Sequence, residues 1–323
     1  MAKQPRWLRW IAWSATALAG LLLIVPFLLP LPDLETVPPR ELADPEDRFV
    51  KLNGIEVRYR EAGSGESVYL LLHGFGASAR SWDPVLEGLA SQGRVVAFDR
   101  VGFGLTERPM EWDGDSPYGS PAQVGLAISL LDKLNIGEAI VIGHSAGAEI
   151  GAALALDHSD RVTALVLESP ALDSGPGGLA RLLLATPQGE RVVRFVGRRA
   201  ADRVDQLLQS AYHDPTRITE DILGGYRQPF GAHAWDIGLA HLAAAPHLDS
   251  IRDRLAELSQ PLLVITGGED TWVPTDVTVE LAGGLPESEL VVIPDCGHVS
   301  HEECPGSYLE AVSRWVVTRS VSG

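Results

Sequence analysis

The stretch Gly143-His144-Ser145-Ala146-Gly147 constrains the fold of this chain more than any other. It follows the apolar run 139–142 and precedes an alanine-rich segment that ends at Asp157. This order predicts a buried strand, a sharp turn and a helix, the setting in which a serine can be presented as a nucleophile. The turn strains the backbone of the serine, and side chains at 143 and 147 would collide with the crossing strand and helix. Both positions therefore require glycine.

A serine hydroxyl is a weak nucleophile unless a base activates it, and the base needs a third group to orient it. In this strand–turn–helix setting the expected chain order is serine, then an acid, then histidine. Two apolar runs downstream, at 261–266 and 289–293, predict buried strands, and the polar loops that follow them contain Asp270 and His298. An acid and a histidine therefore follow the serine in the expected order.

Five motifs in this order resemble those of the α/β-hydrolase superfamily, and together they span about residues 48 to 318. They are His73-Gly74-Phe75-Gly76, Asp99-Arg100-Val101-Gly102-Phe103-Gly104, Gly143-His144-Ser145-Ala146-Gly147, Gly267-Gly268-Glu269-Asp270, and Gly297-His298 with Glu303 and Pro305. The resemblance implies an α/β fold with a mostly parallel sheet, helices on both faces and a helical cap. One departure is Ala148, where many relatives carry a third glycine, and we expect it to shift the packing only slightly.

The resemblance also implies roles for individual residues. It makes Ser145 the nucleophile, Asp270 the acid and His298 the base. It assigns the backbone N–H groups of Phe75 and Ala146 to the oxyanion hole. It requires no metal and no organic cofactor.

The acid has two competitors. Glu168 and Asp173 lie near the end of the apolar run 162–167, where some relatives place this residue. Asp270 is the better candidate, because it directly follows a predicted strand in a glycine-rich loop that can bring a carboxylate to His298.

Apolar runs and helical patterns alternate along the body of the chain. This alternation predicts a mostly parallel sheet with helices on both faces. The predicted strands are 68–72, 94–98, 139–142, 162–167, 261–266 and 289–293, and the predicted helices are 81–91, 121–134, 146–157, 274–283 and 305–318. Before them, Asn53-Gly54 lies between the runs 49–52 and 55–59 and predicts a two-residue hairpin turn.

The longest interval without a buried-strand pattern predicts amphipathic helices, and the resemblance implies that it forms the cap, around which the chain divides. We expect a membrane anchor at 1–32, a tether at 33–47, the core at 48–170 and 246–323, and the cap at 171–245. Four cap aromatics either line an apolar pocket or form the core of the cap: Phe195, Tyr226, Phe230 and Trp235. Three further residues are possible pocket residues, with local packing as the alternative: His144, Trp82 and Trp272.

The N-terminal segment has the composition of a membrane anchor. No charged residue occurs from Trp10 to Pro32, and residues 10–29 are long enough as a helix to span a bilayer. Lys3, Arg6 and Arg9 precede this run, which predicts a single-pass protein with a cytoplasmic N-terminus and an extracytoplasmic catalytic domain. The alternative is a cleaved signal peptide and a secreted enzyme.

The net charge limits the possible partners of the protein, and the two cysteines allow more than one arrangement. A net charge of -17 argues against nucleic acid, which binds basic surfaces. Cys296 and Cys304 bracket His298 and are either separate buried thiols or a disulfide. A zinc site is disfavoured because the spacing matches no common zinc pattern.

These observations predict a membrane-anchored serine hydrolase that cleaves a small apolar carboxylic ester through an acyl-enzyme. Alternatives on the same scaffold are hydrolysis of a carbon–carbon bond in a ring-cleavage product, which Cys296 before Gly-His favours, and perhydrolysis. A non-catalytic binding protein is disfavoured because the triad and the oxyanion loop are both intact.

Overall fold

The computed structural model describes residues 6–173, 175–248, 250–285 and 288–320. Its strands are β1 (Arg48–Leu52), β2 (Ile55–Ala62), β3 (Val68–Leu72), β4 (Arg94–Phe98), β5 (Ala139–His144), β6 (Val162–Glu168), β7 (Leu262–Gly267) and β8 (Ser288–Ile293). Its α-helices are α1 (Arg6–Leu28), α2 (Asp83–Ala90), α3 (Ser120–Lys133), α4 (Ala146–Asp157), α5 (Gly178–Leu184), α6 (Pro187–Ala201), α7 (Val204–Ala211), α8 (Glu220–Arg227), α9 (Trp235–Ala244), α10 (Ile251–Arg254), α11 (Thr275–Gly283), α12 (Ser300–Glu303) and α13 (Pro305–Ser320).

The eight strands form one sheet in the order β1-β2-β4-β3-β5-β6-β7-β8. The hairpin β1–β2 joins β4 antiparallel, and all later pairs are parallel. The hairpin turn falls at Asn53-Gly54, where both residues have positive φ, as this turn requires. The predicted mostly parallel sheet is therefore confirmed.

Helices cover both faces of the sheet, and β3 shows why. All five of its residues are buried. Leu70 and Leu72 belong to the core on one face, together with residues of α3 and α4. Tyr69 and Leu71 belong to the core on the other face, with residues of α2 and α13. A strand buried on both sides has a continuous apolar run, which is the pattern that predicts it.

Helices α5 to α9 lie between β6 and β7, where the sequence predicts the cap. Threonines begin two of them: Thr186 Oγ1 accepts from the backbone N–H of Gly189, and Thr219 Oγ1 accepts from that of Ile222. The end of α7 reaches the histidine loop, because the N–H of His298 donates to the carbonyl of Ala211 over 2.7 Å. The cap thus contacts the loop that carries the candidate base.

Residues 33–47, predicted as a tether, pack along the body. Val37 forms a β-bridge with Ala232, and Asp47 accepts from both Arg58 and Arg60. Asp44 and Asp47 of this segment pair with arginines on β2, which holds it against the fold. The sequence shows the acidic residues and the arginines, but it does not show that they lie next to each other in the fold.

The sequence predicts a membrane-spanning helix within residues 1–32, and this prediction is not supported. Helix α1 forms there, but none of the helices in the described part of the chain is both long and apolar enough to cross a membrane. Lys3, on which the predicted orientation partly depends, lies outside the described residues.

Candidate active site

Ser145 lies at the turn between β5 and α4 with φ 51° and ψ −120°. Few residues other than glycine adopt a positive φ, so the surrounding contacts must hold this turn in place. A Cβ on Gly143 would lie 2.6 Å from the Cα of Ala148, and one on Gly147 would lie 2.2 Å from the carbonyl oxygen of Leu72. The two glycines are required for the reason that the sequence suggests.

Asp270 and His298 meet at the carboxyl ends of β7 and β8. His298 Nδ1 and Asp270 Oδ2 are 2.9 Å apart, and both side chains are almost completely buried. The other oxygen, Oδ1, accepts from the backbone N–H groups of Trp272 and Val273 at 2.9 and 3.0 Å. These bonds fix the carboxylate, so it can hold one tautomer of the imidazole.

The two rival acids are occupied elsewhere. Glu168 is buried, and its Oε1 accepts from Ser300 Oγ at 2.6 Å and from the His301 backbone N–H at 3.0 Å. The carboxylate of Asp173 accepts from the backbone N–H groups of Ile251 and Arg252 at the start of α10. Among the described residues, Asp270 is the carboxylate in hydrogen-bond contact with His298.

The predicted oxyanion loop packs directly against the serine turn. A Cβ on Gly74 would lie 2.8 Å from His144 Nδ1 and 3.2 Å from Ser145 Cβ. His73 braces the loop: its Nδ1 pairs with the carbonyl of Gly74 at 2.7 Å, and its Nε2 accepts from the backbone N–H of Arg100 at 3.1 Å. Burial holds the pKa of His73 well below its usual value, which keeps the ring neutral in this role.

The three possible pocket residues have different positions. Trp272 lies at the pocket, where its ring stacks on His298 with centroids 5.3 Å apart. His144 also reaches the pocket, but its Nε2 lies 3.1 Å from the carbonyl oxygen of His298, so it supports that loop. Trp82 does not reach it: the ring is completely buried and stacks on His301 at 4.2 Å.

Ser145 and His298 open into an apolar cavity of about 460 Å³. Its walls come from the serine turn, the oxyanion loop and the cap helices α6, α7 and α9. Three of the four cap aromatics line it, namely Tyr226, Phe230 and Trp235. Phe195 is not among the lining residues; instead, the guanidinium of Arg199 lies 5.4 Å from its ring.

A second cavity, of about 310 Å³, meets the first at Ser145, Phe75 and Phe103. Its walls are more polar and include Arg100, Gln123, Glu149 and His247. The serine thus lies between an apolar compartment and one with more polar walls, which we call the polar cavity.

Arg100 is the notable group of the polar cavity. Its side chain is almost completely buried, and Nη1 donates to Gln123 Oε1 at 2.8 Å. Its Nε and Nη2 have no hydrogen-bond partner among the described residues. Burial lowers the pKa of this guanidinium to about 10, a change that nearby Glu149 opposes. The group remains cationic at neutral pH, with two donors that no described residue satisfies.

Cys296 and Cys304 form a disulfide with Cα atoms 6.3 Å apart. The structure therefore shows the second of the two arrangements that the sequence allows. Glu303 lies within this loop and accepts from the backbone N–H of Gly297 at 2.6 Å and from that of Asp214 at 2.7 Å. Disulfide and carboxylate together fix the loop that carries His298.

Two groups of side chains have the composition of metal ligands. Glu168 and His301 of the first already bond each other at 2.9 Å, with His144 as the third member. The second contains the two disulfide cysteines and Glu303, whose oxygens accept from backbone N–H groups. Hydrogen bonds and the disulfide account for both arrangements.

The sequence pattern of the alpha/beta hydrolase fold family matches residues 69–305, which include Ser145, Asp270 and His298. The chain belongs to the α/β-hydrolase family.

Curated relatives of this hydrolase include a 2-hydroxymuconate semialdehyde hydrolase of a Pseudomonas strain, 31% identical over 76% of this chain and 84% of the relative. A 2-hydroxy-6-oxononadienedioate/2-hydroxy-6-oxononatrienedioate hydrolase of Paraburkholderia xenovorans is 28% identical over 81% of this chain and 90% of the relative. Among solved structures, a thermophilic esterase from Thermogutta terrifontis is 25% identical with a TM-score of 0.66, over 84% of this chain and 98% of that one.

Sequence reasoning missed two parts of the hydrolase site. Arg100 belongs to one of the five motifs, but the motif does not show that its side chain lines a cavity beside Ser145. Glu303 belongs to the last motif, but the motif does not show that its carboxylate ties the histidine loop to the cap. Both roles depend on contacts between distant segments.

Proposed function

We propose that this hydrolase cleaves the carbon–carbon bond beside the ketone of a ring-cleavage product, a 2-hydroxy-6-oxo-dienoate. Two observations support the proposal. The curated relatives carry names of this reaction class. In addition, the polar cavity at Ser145 contains a buried arginine with free donors, and such a substrate carries a carboxylate at one end.

The polar cavity is the observation that carries the proposal. A dienoate extends its carboxylate away from the ketone, so a substrate with its ketone at Ser145 needs an anion receptor to one side. Arg100 provides that receptor, and the apolar cavity accepts the acyl part on the other side. An ordinary apolar ester would leave Nε and Nη2 of this buried guanidinium without hydrogen-bond partners among the described residues, which is costly.

In the proposed reaction the dienol first tautomerises to its 2-oxo form. Ser145 then attacks the ketone while His298 takes the hydroxyl proton, and Asp270 stabilises the resulting imidazolium. The N–H groups of Phe75 and Ala146 stabilise the oxyanion, a contribution of several kcal/mol. The carbon–carbon bond breaks, and its electron pair enters the conjugated 2-oxo acid to give a dienolate. His298 returns its proton to the dienolate oxygen, and 2-hydroxydienoate leaves. Water then hydrolyses the acyl-enzyme to a carboxylic acid.

The test is turnover of a 2-hydroxy-6-oxo-6-phenyl dienoate, whose loss of colour reports cleavage, by wild type and by Arg100→Gln. We expect KM to rise about 10- to 100-fold in the variant, because a charge-assisted bond to the carboxylate is lost. Arg254→Gln, which removes a partly exposed arginine that pairs with Asp157 outside both cavities, is the control and should match wild type. No turnover by wild type would overturn the proposal.

Hydrolysis of a carboxylic ester is the second candidate, and the apolar cavity of about 460 Å³ favours it. The esterase from Thermogutta terrifontis shares the fold over most of this chain. A series of p-nitrophenyl esters of increasing acyl length should be assayed beside the dienoate. A higher kcat/KM for an ester, unchanged by Arg100→Gln, would establish the second candidate in place of the first.

The location of the enzyme is a separate proposal. Arg6 and Arg9 before an uncharged stretch favour a catalytic domain outside the cytoplasm, either held by residues 10–29 or released by signal cleavage. Protease added to spheroplasts should then digest the catalytic domain. Complete protection of an intact, folded chain would reverse the orientation.

A further inference from the structure

The outer surface of the cap carries a group of exposed aliphatic side chains. Leu179, Leu182 and Leu183 on α5 are 74%, 67% and 62% exposed. They lie three and four residues apart, so they share one face of the helix. Three more exposed residues follow on α6 and α7: Val192, Val196 and Leu207. We call these six residues the outer cap face.

The charge around this face is opposite to that of the whole protein. Residues 178–203 contain six arginines and two acidic residues, a net charge of +4 in a chain of net charge -17. The arginines are Arg181, Arg191, Arg194, Arg198, Arg199 and Arg203. Arg194 and Arg198 pair with Asp236. Among the ion pairs of the described residues, none involves Arg181, Arg199 or Arg203.

Exposed aliphatic side chains also occur on α1, which lies beside α6. Arg191 Nη2 donates to the carbonyl of Leu29 at 2.8 Å, which holds the end of α1 beside α6. Leu21, Ile24 and Leu28 on this part of α1 are all exposed. Exposed aliphatic side chains on neighbouring helices, bordered by arginines, are typical of helices that lie in the interface of a bilayer.

We propose that the outer cap face docks on a lipid bilayer that contains anionic headgroups. The leucines would enter the acyl boundary, and Arg181, Arg199 and Arg203 would contact the headgroups. A second copy of this chain fits less well, because a twofold contact would place one cluster of arginines against another. This inference does not depend on which bond the enzyme cleaves.

Docking on this side would bring lipid close to the active-site cavity. The inner faces of α6 and α7 line that cavity through small and aliphatic residues, namely Gly197, Ala200, Ala201, Val204 and Leu208. Leu207 belongs to both surfaces, since it lines the cavity and is also exposed. Apolar substrates dissolved in the bilayer would thus meet the cap beside the cavity.

A fluorophore placed on the full-length protein tests the proposal. Cys296 and Cys304 are paired, so a thiol introduced by Leu182→Cys can be labelled selectively with an environment-sensitive nitrobenzoxadiazole probe. The matched control is Val277→Cys on α11, an exposed aliphatic position outside the cap. Both proteins are added to vesicles of phosphatidylcholine with or without phosphatidylglycerol.

We expect the probe at position 182 to brighten several-fold on phosphatidylglycerol vesicles and to be quenched by nitroxide-labelled lipid, while the probe at 277 stays unchanged. Combined Arg181→Gln, Arg199→Gln and Arg203→Gln substitutions should reduce the signal to its level on phosphatidylcholine.

Three results would overturn the proposal. The first is an unchanged probe at 182, whether or not the protein floats with the vesicles. The second is an equal signal on both kinds of vesicle. The third is brightening that rises with protein concentration in the absence of lipid, which would identify a contact between copies of the chain.

Discussion

Glu168 is a completely buried carboxylate at the end of β6, beside the candidate triad. Replacing it with glutamine tests how much its hydrogen bonds stabilise the fold. Its Oε1 accepts from Ser300 Oγ at 2.6 Å and lies 2.9 Å from His301 Nδ1. Burial alone would raise the pKa of this carboxyl, but the charge and hydrogen bond of His301 lower it to about 2. The folded state therefore stabilises the ionised form.

The size of the effect follows from that pKa. A fall from 4.5 to about 2 corresponds to about 3 kcal/mol of stabilisation. Removing one partner of a buried ion pair typically costs about 3–5 kcal/mol of stability, which agrees with this value. We therefore expect Glu168→Gln to lower the free energy of unfolding by about 3 kcal/mol at neutral pH.

The dependence on pH has a definite sign. Because the folded pKa of Glu168 is lowered, its contribution is present above pH 4.5 and is lost as the pH falls towards 2. The pKa of His301 is raised: burial opposes the charge, and Glu168 more than compensates. The contribution of His301 is therefore complete below pH 6.5 and is lost as the pH rises through its folded pKa.

Urea unfolding followed by tryptophan fluorescence at several pH values measures both quantities. Glu269→Gln, which changes an exposed carboxylate near the site, is the control and should leave stability nearly unchanged. The folded Glu168→Gln variant should keep kcat within about tenfold of wild type. Normal stability with a large loss of kcat would refute this reasoning and make Glu168 the catalytic acid.

Three further predictions concern the catalytic turn and its partners. Ser145→Ala should abolish both turnover and labelling by a fluorophosphonate, whereas labelling of another residue would exclude Ser145 as nucleophile. Asp270→Asn should lose at least ~10² in kcat while Asp173→Asn stays within about tenfold, measured at saturating substrate. Gly147→Ala places a Cβ 2.2 Å from the last carbonyl oxygen of β3 and should destabilise the fold by about 1–3 kcal/mol. In the control Gly125→Ala the new Cβ has no atom within 4 Å, so the fold should not be destabilised. Equal unfolding midpoints for the two variants would contradict the steric argument.

Most of the fold follows from local patterns in the sequence. Apolar runs predict β3 to β8 within a residue or two of their observed ends. For β3 to β7 the reason is that strands buried on both faces need continuous apolar sequence, whereas the edge strand β8 is only partly buried. The serine turn follows from two glycines at positions where a Cβ atom would have no room. Serine, acid and histidine are predicted to meet because each follows a parallel strand, and parallel strands end at the same edge of a sheet.

The environment of each side chain needed the tertiary structure. Trp82 follows the oxyanion loop closely in sequence, but it points into the core and stacks on His301. Residues 33–47 look like a tether, but Asp44 and Asp47 pair with Arg58 and Arg60 on β2. No local pattern shows which distant charges become neighbours.

The same limit applies to the chemistry. The sequence by itself determined the sheet, the serine turn and the candidate triad, because each depends on the spacing of residues along one segment or on strand order. Only the tertiary structure decided that Glu168 pairs with His301 and that Arg100 lies in a polar cavity beside Ser145. A cavity is the space left between several segments, so its shape and charge are fixed only when those segments pack together.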